Sequence, residues 1–169
     1  MNQLSQCRRD RSSVKQIHEA AFPRGLRFVF GGLLFCTILI GSACEKGPVK
    51  PVSIKPNDIC FYCKSPLDEQ TLAFAAEFIT KDGFVRKFDD IGCLVANARK
   101  VGRKNIQSFY AMDIVSKTLL PAEQLQFVRS DKIRTPKNGG TVAFQDASRA
   151  KEVASRFQTQ VLTLDDILK

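Results

Sequence analysis

The 169 residues contain no tryptophan, one histidine, two methionines and two tyrosines, and each shortage closes off some chemistry. The histidine is His18, so everything from residue 44 onward works without imidazole. A Ser-His-Asp or Cys-His arrangement cannot be built there. No glycine-rich loop of the kind that cradles phosphate is present. No apolar run reaches the roughly 20 residues that a spanning helix needs. Taken together these absences predict a protein that is not an enzyme.

Charge of one sign is in excess, at +9 overall. Much of it sits in residues 1–43, where six basic residues face only Asp10 and Glu19, leaving +5 for the remainder. That remainder has no basic patch interleaved with aromatics, which argues against a nucleic-acid partner. The N-terminal segment has the order of an export signal. A basic stretch ends at Arg24-Gly25-Leu26-Arg27, the apolar run Phe28 to Ile40 follows, and Gly41-Ser42-Ala43 supplies small residues before Cys44. A cysteine in that position resembles the lipobox of bacterial lipoproteins, in which the thiol is acylated and becomes the new N-terminus. Gly41 stands where that pattern prefers Leu. The alternative is an uncleaved signal anchor, and both readings place the rest of the chain outside the cytoplasm. Glu45 after Cys44, rather than Asp, favours the outer membrane where that sorting rule applies.

Residues 45–57 carry Gly47, Pro48, Pro51 and Pro56 among Lys46, Lys50 and Lys55, without periodicity, and read as an extended tether. Strand and helix patterns alternate from Asp58. Leu72 to Thr80 suits a strand, Lys81-Asp82-Gly83 a turn, and Phe84 to Phe88 a returning strand. Asp90 is a good N-cap for a helix carrying Ile91, Leu94, Val95, Ala98 and Val101, and Gly102 ends it. Ser108 to Val115 reads as a third strand.

The order then recurs. Gln124 to Arg129 and Thr141 to Phe144 are strands around the turn Asn138-Gly139-Gly140. Asp146 caps a helix through Ala150, Val153, Ala154 and Phe157, and Gln160 to Leu164 closes the set. Phe88-Asp89-Asp90 matches Phe144-Gln145-Asp146, and Asp113-Ile114 and Asp166-Ile167 fall at the ends of the closing strands. The expected fold is α+β, with two tandem ββαβ repeats packed together, since each is too small to bury much core alone. The predicted organisation is a signal peptide over 1–43, a lipidated tether over 44–57, a first unit over 58–118 and a second over 119–169.

Chemistry concentrates in cysteine. Cys60-Phe61-Tyr62-Cys63 puts two thiols within reach of one ion or of each other. A thioredoxin-like redox pair would open a helix after a strand, whereas Pro56 before the motif and Lys64-Ser65-Pro66 after it argue for a loop. A closed zinc site wants four ligands and comes out one short, because only Cys93 and the acylated Cys44 remain. Cu(I) is the better match, since a soft ion favours thiolate and thioether ligands. Cys93 falls at the third position of the first predicted helix, where unpaired N–H groups and the dipole favour a thiolate. Its alternative is a buried small hydrophobe. An oxidised Cys60–Cys63 pair with a free Cys93 is also open, because export favours disulfides. Met112 could add a thioether, although methionine in a strand is more often core. Asp89-Asp90 could be taken for a paired carboxylate site, but capping and a turn explain it more simply.

From Cys44 to Leu168 the order of motifs resembles the NosL family, lipoproteins described as nitrous oxide reductase accessory proteins. The resemblance rests on Cys44, on Cys60 and Cys63, on Phe88-Asp89-Asp90-Ile91-Gly92-Cys93-Leu94, and on Tyr110-Ala111-Met112-Asp113. Thr135-Pro136-Lys137 before Gly139-Gly140 and Ala143-Phe144 completes it. It implies paired ββαβ units, an arrangement also seen in alkylmercury lyase. It further implies Cu(I) binding and delivery to nitrous oxide reductase through a membrane-bound maturation complex, with Cys60 and Cys63 as ligands. Two positions differ: Lys64-Ser65 stand where the family often has Gly-Met, and Lys137 where it often has Met after Thr-Pro. Copper would then rest on Cys60, Cys63 and Cys93, with Met112 as the available thioether. A periplasmic thiol–disulfide protein and a metal-free scaffold are the competing expectations.

Overall fold

The computed structural model describes residues 49–169. The expected signal peptide, Cys44 and the first residues of the tether lie outside the described residues. Among the described residues, no helix is long and apolar enough to cross a membrane.

Two antiparallel sheets carry the fold. The first holds β1 (Ala76–Thr80), β2 (Val85–Phe88), β3 (Ile106–Met112) and β4 (Leu119–Pro121) in the order β2-β1-β3-β4, and α1 (Ile91–Val101) connects β2 to β3. The second holds β5 (Gln126–Arg129), β6 (Thr141–Phe144) and β7 (Val161–Leu162) in the order β6-β5-β7, with α2 (Ala147–Arg156) between β6 and β7. In both, the first strand lies between its hairpin partner and the strand that follows the helix. The ββαβ unit therefore occurs twice with one topology, as the sequence predicts. The units meet where Asp113 bridges to Ala143 in parallel and the Asp113 carboxylate accepts from the Gln145 N–H at 2.9 Å.

The local causes match the sequence signals closely at the helix starts. Asp90 caps α1 by accepting from Gly92 N–H at 2.6 Å, and Asp146 caps α2 through the N–H groups of Ser148 and Arg149. Gly102 ends α1 at φ +84°, a conformation glycine adopts without steric cost. Other boundaries shift. Residues 71–74 form a single 3-10 turn, so the first strand begins at Ala76 rather than Leu72. The strand expected over Gln160 to Leu164 is only Val161–Leu162. Asp166-Ile167 belongs to a short helix, α3 (Leu164–Leu168), closed at its start by a capping box between Thr163 and Asp166. That pair therefore does not match Asp113-Ile114.

All five residues of β1 are buried, which requires cover on both faces of the sheet. One face packs Phe78, Phe88 and Phe109 together, with ring centroids 5.2 and 5.9 Å from Phe78. The other carries Glu77, Lys87 and Tyr110 in one cross-strand row. The tether's end is fastened to that row. Tyr110 donates its hydroxyl to the Val49 carbonyl, Val52 N–H donates to Glu77 at 2.7 Å, and Lys87 Nζ donates to the Ser53 carbonyl at 2.8 Å. Residues 49–53, within the stretch that the sequence reads as an extended tether, are thus docked on the sheet.

Candidate metal centre

The Cys60–Cys63 motif sits in a loop, as its flanking prolines predict. Ile59 bridges to Pro66, Cys60 N–H donates to the Ser65 carbonyl at 2.9 Å, and Lys64 N–H donates back to Cys60 at 3.0 Å. Lys64 takes φ +64°, a left-handed turn position that costs most residues energy and glycine little. Phe61 N–H donates to the Lys87 carbonyl, which fixes the loop against the end of β2. Cys60 faces inward and is fully buried, while Cys63 is half-buried.

The same strand end delivers the other donors. β2 leads into Asp89, then the cap Asp90, then the first turn of α1 with Cys93, which is 5% exposed. One sulfur from each of Cys60, Cys63 and Cys93 and one oxygen of Asp89 all lie within 4.8 Å of one another. No disulfide joins the three thiols. Cys63 donates to both Asp89 oxygens, at 3.3 and 3.5 Å. Asp89 also faces the Lys137 ammonium at 3.7 Å, and that ammonium donates to Ser65 Oγ at 2.8 Å.

Proton distribution within the cluster is uneven. The Cys93 thiol donating to Cys60 holds the Cys60 thiol down at about 6. The same bond pushes Cys93 far upward, and burial raises Cys63. At neutral pH the metal-free cluster therefore holds a Cys60 thiolate beside two thiols. The bond with Cys60 and burial raise Cys93 most, and the nearby Cys60 and Asp89 add to the shift.

Asp89 is the residue that the sequence reading missed. Capping accounts for Asp90 alone, and Asp89 is 1% exposed and turned toward the sulfurs. With it the site offers four donors, so the expectation that a zinc site falls one ligand short does not hold. The available signal was its place directly after an inward-facing Phe88 and four residues before Cys93. Met112 ends β3, and its N–H donates to the carbonyl of Ala75, the residue just before β1. It joins the core cluster that includes Cys60 and Cys93. Its strand is two removed from the one that leads to Asp89, a backbone separation of roughly 10 Å.

A second-unit loop completes the surroundings. Asp90 Oδ2 accepts from Thr135 Oγ1 at 2.6 Å and from Lys137 N–H at 2.9 Å, while its Oδ1 caps α1. One carboxylate thus sets the helix that carries Cys93 and the loop that carries Lys137.

No family model matches the chain, and no curated protein matches it. Among solved structures, it is similar to the copper chaperone NosL from Shewanella denitrificans, with a TM-score of 0.60 at 14% identity. The match covers 70% of this chain and 96% of that one. The chain therefore has a NosL-like fold, in agreement with the fold implied by the order of its sequence motifs.

Proposed function

We propose that this protein is an extracytoplasmic Cu(I) metallochaperone, held at a membrane through Cys44, that assists copper-site assembly in nitrous oxide reductase. The observation that carries the reading is the convergence of three thiols in a chain with the fold of a copper chaperone. Soft sulfur donors suit Cu(I), and a ready thiolate on Cys60 gives the incoming ion its first ligand. Cys63 and Cys93 would follow as their protons leave. Cys63 is the most exposed of the three, so a partner thiolate would attack the bound ion from that side and take it by ligand exchange. Met112 is proposed as a further thioether, for which Met112→Leu is the volume-conserving test.

The anchor and the partner rest on sequence. Export order and Cys44 support a lipid anchor facing the periplasm, with the outer membrane favoured by Glu45. The motif resemblance supports nitrous oxide reductase or its membrane-bound maturation complex as recipient.

Reduced protein titrated with Cu(I) against a competing chelator is expected to retain one ion per chain. Cys60→Ser and Cys63→Ser are each expected to yield it to the chelator. Failure of the wild type to compete would end the copper reading. A thiol–disulfide role is the second reading, favoured by the Cys60 thiolate close to Cys63. Its mark would be a Cys60–Cys63 reduction potential in the range of catalytic pairs rather than that of structural disulfides.

A further inference from the structure

Lys137 reaches the metal centre from the second ββαβ unit, and its position does not depend on the sulfurs. Its backbone N–H is fixed by Asp90 Oδ2, and Thr135, two residues earlier, is fixed by the same oxygen. From there the side chain spans the mouth of the cluster to Ser65 in the Cys60–Cys63 loop. On the way its ammonium lies 3.7 Å from Asp89 Oδ2. The Asp89 side chain is 2% exposed, against 37% for Lys137. The one oxygen donor of the site is therefore already engaged by a resident cation.

The four donors differ in what they suit. Three sulfurs satisfy Cu(I), whereas Zn(II) completes a tetrahedron and accepts a carboxylate readily. To become four-coordinate here, Zn(II) would have to take Asp89 from Lys137 and bring a double positive charge beside the ammonium. Cu(I) on the sulfurs leaves the Asp89–Lys137 pair in place. We propose that Lys137, by holding the Asp89 carboxylate, restricts the site to its sulfurs and so selects Cu(I) against Zn(II). This rests on the copper reading above and adds to it the residue that determines which metal is accepted.

Competition titrations with Cu(I) and with Zn(II) on the full mature chain test it. Lys137→Leu removes the charge and brings no donor atom that could bind either metal. It is expected to raise Zn(II) affinity about 10-fold or more, the usual scale for groups that orient metal ligands, and to change Cu(I) affinity by less. Lys137→Arg is expected to keep the wild-type preference, because the cation remains. Adding Asp89→Asn to Lys137→Leu is expected to abolish the Zn(II) gain. The Co(II) spectrum of the single variant should show a four-coordinate signature that the double variant lacks. A Lys137→Leu protein with an unchanged ratio of Zn(II) to Cu(I) affinity would overturn the proposal, and so would a gain that survives Asp89→Asn. Wild-type protein that binds no Cu(I) would sink the copper reading instead, and the Zn(II) titrations would still decide whether Lys137 withholds Asp89.

Discussion

Gly92 and Gly139 meet backbone to backbone: a Cβ built on either would lie 2.9 Å from the Cα of the other. One belongs to the first turn of the helix that carries Cys93, and the other to the loop that carries Lys137. No side chain fits between them, and the Asp90 carboxylate fills the remaining space. The contact is how the second ββαβ unit reaches a site otherwise built by the first.

Gly139→Ala should therefore separate the two units at this point. Neither the Gly92 backbone nor Asp90, which is already bonded on both oxygens, can give way cheaply. The expected loss is about 1–3 kcal/mol, as for other overpacked positions, measured by denaturant unfolding. A loss well below that range would show that the loop moves aside freely.

Thr135 tests the same junction through its polar side. Its hydroxyl donates to Asp90 and accepts from Gly140 N–H at 3.1 Å, and both bonds are buried. Thr135→Val keeps the shape and leaves Gly140 N–H unpaired, at an expected cost of about 1–3 kcal/mol. Thr135→Ser should recover most of the stability. A larger loss for Thr135→Ser than for Thr135→Val would mean that the methyl group, not the hydroxyl, matters.

Much of this was legible in the chain because its causes are local. The caps Asp90 and Asp146, the turns at Gly83 and Gly139-Gly140, and the repeated β-β-α order are all set by residues a few positions apart. What escaped depends on distant partners. β4 is three residues long and exists because Leu119, Leu120 and Pro121 pair with β3. α3 runs five residues and draws on Arg129, whose guanidinium donates to the Ile167 carbonyl. Asp89 and Asp90 are neighbours with different fates. The cap is a short-range preference that sequence displays, whereas a carboxylate facing three sulfurs is visible only once the Cys60–Cys63 loop is folded over β2. Lys137 looked like a lost ligand for the same reason, and the fold gives it a partner instead.

Glu77 should make stability depend on pH. It is fully buried, with Oε1 bonded to Val52 N–H and Oε2 without a partner, and burial raises its carboxyl to about 7. A carboxyl raised in the folded state binds its proton more tightly there than in the unfolded chain. Its contribution is thus fully present below the unfolded value of 4.5 and is lost as pH rises through about 7. Stability should fall by about 1–3 kcal/mol between these limits, the cost of leaving a buried polar group uncompensated. Glu77→Gln should flatten this part of the profile. A wild-type profile that rises over the same interval would rule the assignment out.

The division of protons among the three thiols can be tested without metal. Cys60 is held down at about 6 chiefly because Cys93 donates to it, although burial opposes the shift. Cys93→Ala removes that donor and leaves Cys60 in a buried site, where a thiolate is disfavoured. In the wild type, the ultraviolet absorbance of thiolate should show a first step with its midpoint at about 6. In Cys93→Ala that step should move upward, toward or beyond the ordinary thiol value of 9.0. Cys63→Ala should leave it in place more nearly, since Cys63 contributes to Cys60 through a backbone bond that the substitution retains. Should Cys93→Ala leave the first step where it was, the low value must come from elsewhere, and Cys60 would not owe its readiness for an incoming soft ion to the first turn of α1.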